Sequence, residues 1–286
     1  MAAVADAGAA RGEAPAPARG AGRRLRRFPV WRWAVLILAG IYFVIPLYAA
    51  LRFAGLSSFG SVFSQVGFSA ALALSLRLAV ITTVLTLALM VPTTIYVHLR
   101  LPRLRRLMEG VTILPIVIPP VVLILGVLQI APPALKSTSD LLGLVYVVLA
   151  MPFAYRALDA GLRALNLRTL VEAAGSLGAR WPATLWRVIL PNLTTALLSA
   201  VVLTVAMVLG EFTMASLDLY QTFPVWIVVN DQTSGQVSVA ASLLALFVTW
   251  LFLLAITVIG TRRSGKTGGG SVTLFTVARQ EARGDT

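Results

Sequence analysis

Residues 172–191 read EAAGSLGARWPATLWRVILP, and they lie between two apolar segments in a loop rich in arginine. Just upstream, Leu167, Leu170, Val171, Ala174 and Leu177 recur near helical spacing and give one apolar face. Gly178 suits the end of that helix, because glycine closes a last turn in the left-handed region without a side-chain penalty. Pro182 suits the first turn of a following helix, where its missing N–H is no loss. Leu185, Trp186, Val188 and Ile189 then supply apolar bulk before Leu190 and Pro191 lead into the next apolar segment. The residues therefore predict helix, tight turn, helix. Trp181 and Trp186 fit equally as anchors at a membrane–water interface. Taken alone, the hairpin also fits an amphipathic helix on a leaflet, with its arginines toward anionic lipid.

Working outward, 58% of the 286 residues are apolar and 12% charged, with a mean hydropathy of +0.87, which is the composition of an integral membrane protein. The fold class expected is all-α, with six spans at about 33–51, 71–97, 111–130, 141–155, 193–209 and 239–260. The fourth is short and carries Pro152, yet the charges require it. With six spans and both termini cytoplasmic, 21 of the 24 Lys and Arg fall on the inner side, against Arg52 and Lys136 outside and Arg77 within a span. Removing the fourth span would place Arg156, Arg163, Arg168, Arg180 and Arg187 outside, against the positive-inside rule. The same block pattern explains the net charge of +13 by topology, and no nucleic-acid partner is expected. The absence of cysteine excludes disulfides, thiolate catalysis and cysteine metal sites.

Residues 1–30, rich in Ala, Gly, Pro and Arg, are expected to form a disordered basic cytoplasmic tail, 31–262 the membrane domain, and 263–286 a flexible cytoplasmic tail. The first apolar run starts only at Trp33 and is long, which favours an uncleaved anchor over a signal peptide. Gly260, Gly265, Lys266 and Thr267 formally satisfy a phosphate-loop pattern. That chemistry needs a strand before the loop and a helix after it, whereas here an apolar helical run precedes and Gly268, Gly269 and Gly270 follow.

At fixed offsets, Glu172, Ala173, Ala174, Gly178, Val188, Leu190 and Pro191 match the signature cytoplasmic loop of ABC importer permeases, with Val188 in place of isoleucine as the one departure. The chain resembles that family over about residues 70–260. Ser75, Leu76 and Ala79 fit its second-span opening, although Leu74 stands where asparagine is frequent, and Leu114, Pro115, Pro119 and Pro120 fit its third-span opening. Physically, those prolines remove backbone donors and kink the helix; they suit a translocation route, a subunit interface or a plain packing kink.

The resemblance implies a type I ABC importer permease-like subunit in the cell (inner or plasma) membrane, half of a permease completed by a second permease chain, related or identical. It implies partners: cytoplasmic ABC ATPase subunits that use ATP and Mg, an extracytoplasmic solute-binding protein, and membrane lipid. It implies that the chain is no enzyme, binds no cofactor or metal and has no catalytic residue. Residues 166–191 become the coupling loop, in which Glu172 pairs with a basic group of the ATPase, Ala173 and Ala174 allow close approach, and Gly178 makes the turn. Transport would proceed by alternating access as ATP-driven closure pulls two such loops together.

The outer loop from about Gly210 to Ser238 holds Asp218 and Asp231 and no Lys or Arg. Its acidity suits a cationic solute or a basic edge of the binding protein, with Trp226 as a further contact, while avoidance of outside positive charge explains it as well. The run Thr222-Phe223-Pro224-Val225-Trp226 resembles spermidine/putrescine-type permeases, so the expected solute is a polyamine; phosphonate, iron and other small solutes are the alternatives. Ionisable groups within spans cost on the order of 3 kcal/mol each at the bilayer centre. Arg77 reads as snorkelling to the surface, Glu211 as facing the pathway or a partner subunit, and His98 as interfacial. An ion-coupled secondary transporter would show mid-membrane acidic groups and an internal repeat, neither of which is clear. A membrane scaffold would explain the charges but not the spacing from Glu172 to Pro191.

Overall fold

The structure, a computed structural model, describes residues 30–264. The two expected tails fall outside the described residues except for Val30, Arg263 and Ser264, as do Gly265, Lys266 and Thr267 of the phosphate-loop look-alike. The chain divides into two compact units, 1–47 and 48–286, with the boundary inside the first helix, α1 (Val30–Ala54). Within the first unit, α1 presents exposed apolar side chains such as Trp33, Leu38 and Phe43.

The second unit continues with α2 (Leu56–Val62) and α3 (Phe68–Arg100). Gly67, at φ 82°, turns the chain into α3, which stops at Leu101 because Pro102 disfavours a helical residue before it. A single 3-10 turn, Pro102–Leu104, leads into α4 (Arg105–Val117). Pro115 stays inside α4, but Ile118 is forced extended (ψ 121°) ahead of Pro119, and α5 (Pro120–Ile130) leaves at 94° to the preceding segment. The expected third span is thus a broken one. After α6 (Pro133–Lys136) comes α7 (Asp140–Ala164), longer than the apolar window that announced it. It extends because Leu158 and Leu162 continue its buried face past Arg156, while Arg163 lies on its exposed side.

The hairpin follows as α8 (Leu167–Ser176), α9 (Trp181–Thr184) and, past a π turn at Leu185–Ile189, α10 (Leu190–Asn192). α11 (Thr194–Gly210) departs at 74° to the segment before it; α12 (Thr213–Leu217) and α13 (Phe223–Asp231) are short; α14 (Gly235–Ser264) is long and apolar and carries Arg262 and Arg263 within it. Among the described residues four helices are long and apolar enough to cross a membrane, and with each of the two bent pairs counted as one span there are up to six. No strand occurs among the described residues. The fold is all-helical and membrane-spanning.

The centre of the second unit is α3, α7 and α11 packed on one another. Gly161 lets α7 and α11 meet: a Cβ there would overlap the Cβ of Ala196 and lie 3.1 Å from Cδ1 of Leu193. Two apolar clusters lie along these helices. One, toward the hairpin, includes Met90, Ile95, Tyr155, Leu158, Leu162 and Ala200; the other, toward the opposite end, includes Leu78, Ile124, Leu142, Tyr146 and Val208.

Candidate functional site

The hairpin is built as its residues predict. Gly178 takes φ 76°, and two hydrogen bonds close the end of α8: Ala179 N–H donates to the Ala174 carbonyl (3.0 Å) and Gly178 N–H to that of Gly175 (2.9 Å). This is the Schellman arrangement, which satisfies carbonyls a bare helix end would leave free. Leu167, Ala174, Thr184 and Ile189 are buried beneath the hairpin, and Leu167 and Ile189 enter the same apolar cluster as Ile95 of α3 and Leu158 of α7. The hairpin is therefore packed onto the helical centre rather than tethered to it.

Its outer face is open. The Glu172 side chain is 70% exposed, with Arg168 one turn away at 3.5 Å, and Ala173, Leu177, Trp186 and Pro191 are exposed while Leu190 is half-buried. An exposed pair of this kind contributes at most about 1 kcal/mol, so Glu172 remains available to a cationic partner. Beside it a cavity of about 500 Å³ opens between the ends of α3 and α8, bordered by Tyr96, Arg100, Arg168 and Trp181.

At the opposite end the remaining expected residues separate. Glu211, 9% exposed, accepts from Tyr146 Oη–H (2.8 Å) and from the backbone N–H groups of Met214 (2.9 Å) and Ala215 (3.4 Å). Its carboxylate thus satisfies the orphan donors that open α12 and is used within the chain. Pro119 and Pro120 are exposed at the α4–α5 break and Pro115 is half-buried. Asp231 is exposed; Asp218 is half-buried, and burial raises its carboxyl pKa above the ordinary value. Trp226 is 3% exposed, stacked on Phe223 with ring centres 5.8 Å apart, and its indole N–H donates to the Val66 carbonyl (3.0 Å). Thr222 is buried too, and the Phe223 N–H donates to Ser75 Oγ (2.7 Å), tying α13 to α3. The run from Thr222 to Trp226 is therefore packing material, which is why its likeness to a polyamine-type sequence carries little about the solute.

Two ionic features were not read from the sequence. Arg77 pairs with Asp140 at 2.7 Å, joining α3 to α7 where both side chains are about half exposed, so its reach toward the surface ends on a carboxylate. His98 is buried, with its Nε2 3.0 Å from Oδ1 of Asp159 and its Nδ1 donating to the Thr94 carbonyl (2.9 Å). The Asp159 side chain, 9% exposed, also lies 3.4 Å from Arg105 Nε and 2.7 Å from Arg163 Nη2, and Arg163 in turn pairs with Glu109. Of these partners His98 alone is buried, while Arg105 and Arg163 stay partly exposed, so the loss of one arginine leaves the carboxylate with the others. The i,i+4 spacing of Asp159 and Arg163 was visible; the arrival of His98 and Arg105 from other helices was not.

A family model described as "Binding-protein-dependent transport system inner membrane component" matches residues 90–264. A molybdenum transport system permease protein of Mycobacterium bovis is 32% identical over 254 residues, covering 80% of this chain and 96% of that protein. A protein of the same name from Mycobacterium tuberculosis matches to the same extent. A probable molybdenum ABC transporter permease protein of Haloferax volcanii is 30% identical over 220 residues, covering 72% of this chain and 81% of its own. All three are named for molybdenum and none for a polyamine, so the polyamine expectation is left without support.

Proposed function

Because the chain belongs to the family of binding-protein-dependent transport system inner membrane components, the permease subunits of ABC importers, we propose that the solute it passes is an oxyanion of molybdenum. The observation that carries the permease role is the exposed hairpin with Glu172 at its surface and Gly178 at its turn. The molybdenum reading is supported by the names of the similar proteins. The hairpin faces the cytoplasm and docks on a separate ATPase subunit; a second permease chain completes the path, and a solute-binding protein delivers cargo at the opposite end. The chain performs no covalent chemistry. Acidic side chains are poor ligands for a dianion, so Asp231, and Asp218 where it is charged, serve contact with the binding protein rather than with the solute.

Uptake of molybdate, followed by elemental analysis in cells lacking their own importer and given this chain with its neighbouring ATPase and binding protein, tests the solute. Saturable molybdate uptake, competed by tungstate and not by spermidine, is the expected result; competition by spermidine alone would refute it. Docking is tested by purification of the tagged chain in mild detergent. The ATPase should co-purify with wild type and be lost with Glu172→Arg/Gly178→Asp.

A further inference from the structure

We propose that the cleft between α3 and the hairpin holds the headgroup and upper acyl chain of an anionic phospholipid of the cytoplasmic leaflet. The inference rests on the permease reading above, which puts this end of α3 on the cytoplasmic side. Pro92, Tyr96 and Arg100 are all exposed and recur every four residues, so they form one stripe along α3. The stripe passes from apolar to aromatic to cationic over about 12 Å, the rise of eight helical residues. A bilayer passes in the same order from hydrocarbon through its interface to the phosphates.

Two cavities lie along the stripe and share Tyr96 and Trp181. The one of about 500 Å³ is bordered by Arg100, Arg168 and Glu172. The other, of about 400 Å³, is lined otherwise by Pro92, Thr93, Ile95 and Leu185. The Thr93 hydroxyl already donates to the Leu89 carbonyl (2.6 Å), so that lining suits hydrocarbon rather than a polar ligand. Tyr96 and Trp181, common to both cavities, are the amphipathic side chains that suit the headgroup level. The charges then select the headgroup. Glu172 lies 3.5 Å from Arg168, and among the described residues no carboxylate pairs with Arg100. Two arginines and one carboxylate leave one positive charge, which the single negative charge of a phosphodiester balances. The ammonium of a zwitterionic lipid gains nothing here, because the one carboxylate present is committed to Arg168 and to the ATPase. A free phosphate would use the same arginines but leave the apolar cavity unfilled.

The complex of this chain with its ATPase, purified in mild detergent and freed of native lipid, would be titrated with phosphatidylglycerol and separately with phosphatidylcholine. Native mass spectrometry counts the lipid bound. Wild type should hold one phosphatidylglycerol per copy of this chain in preference to phosphatidylcholine, and inorganic phosphate should not displace it. In Arg100→Gln/Arg168→Gln the affinity should fall about fivefold for each arginine removed, the effect of one cation at an anionic lipid surface. Thr93→Phe, which fills the apolar cavity and keeps both arginines, should weaken the lipid as well. Phosphatidylglycerol held as tightly by the arginine variant as by wild type, or both lipids held equally, overturns the proposal. Displacement by inorganic phosphate, with Thr93→Phe binding as wild type does, assigns the site to a free oxyanion and overturns the lipid reading. Should the arginine variant fail to assemble, Thr93→Phe is read by the same titration, and unchanged affinity there is the overturning result. A wild-type preparation that recovers no ATPase would refute the permease reading itself, a result distinct from lipid binding that the variants leave unchanged.

Discussion

At the scale of single residues, charge decides more than its abundance suggests. Glu211 is an acidic group within hydrogen-bond reach of three donors, and Tyr146→Phe removes the hydroxyl that binds it at 2.8 Å. A hydrogen bond to a charged group contributes about 1.5–3 kcal/mol, so thermal unfolding in detergent should show a loss of that order. Unchanged stability would mean that the two backbone N–H groups suffice. Asp218 should act in the opposite sense. Burial raises its carboxyl pKa, so the native chain holds a proton at pH values where the unfolded chain has lost it. Stability therefore falls as pH rises from the ordinary carboxylate value through the raised one. Asp218→Asn should be more stable than wild type at neutral pH, and the difference should close on acidification; a pH-independent difference would exclude burial of charge as its cause. Neither environment was readable from the sequence, which placed Glu211 and Asp218 near an outer edge without showing that one caps a helix and the other is half enclosed.

At the scale of elements, prolines and glycines are the residues whose consequences were most legible. Gly178 was expected at a helix end and takes the left-handed conformation there. Pro119 and Pro120 were expected to kink the third span, and the structure breaks it by 94°. Their effects are local, since a missing N–H or a missing Cβ acts on the adjacent backbone whatever the rest of the chain does. Gly161 differs, because nothing in its neighbours announces it. Its meaning comes from Ala196 on α11 and Leu193 just before that helix. Gly161→Val should force α7 and α11 apart and lower stability by about 1–3 kcal/mol, measured by thermal unfolding in detergent, with Ala196→Gly partly restoring it. Gly175→Ala, where nothing lies within 4 Å, is the control expected to leave stability unchanged or slightly raised.

At the scale of the whole molecule, hydropathy and the alternation of basic blocks are enough to set the number of spans, because the bilayer imposes length and the positive-inside bias imposes order before any tertiary contact forms. The hairpin was legible for a related reason: it combines a local turn signal with a fixed spacing that the family shares. The sequence by itself therefore determined an all-helical, six-span chain with an exposed hairpin at the arginine-rich loop. What only the tertiary structure decided is which side chains those helices bring together. It placed His98, Arg105 and Arg163 around Asp159, with Glu109 on Arg163, joined Arg77 to Asp140, and buried Trp226 where a surface contact had been expected. Hydropathy measures the tendency of a segment to leave water, which is a sum over neighbours in the chain. The partner of a buried charge is chosen by the packing of α3, α4 and α7, whose contacting residues lie about sixty positions apart, and no property of either segment alone encodes that meeting.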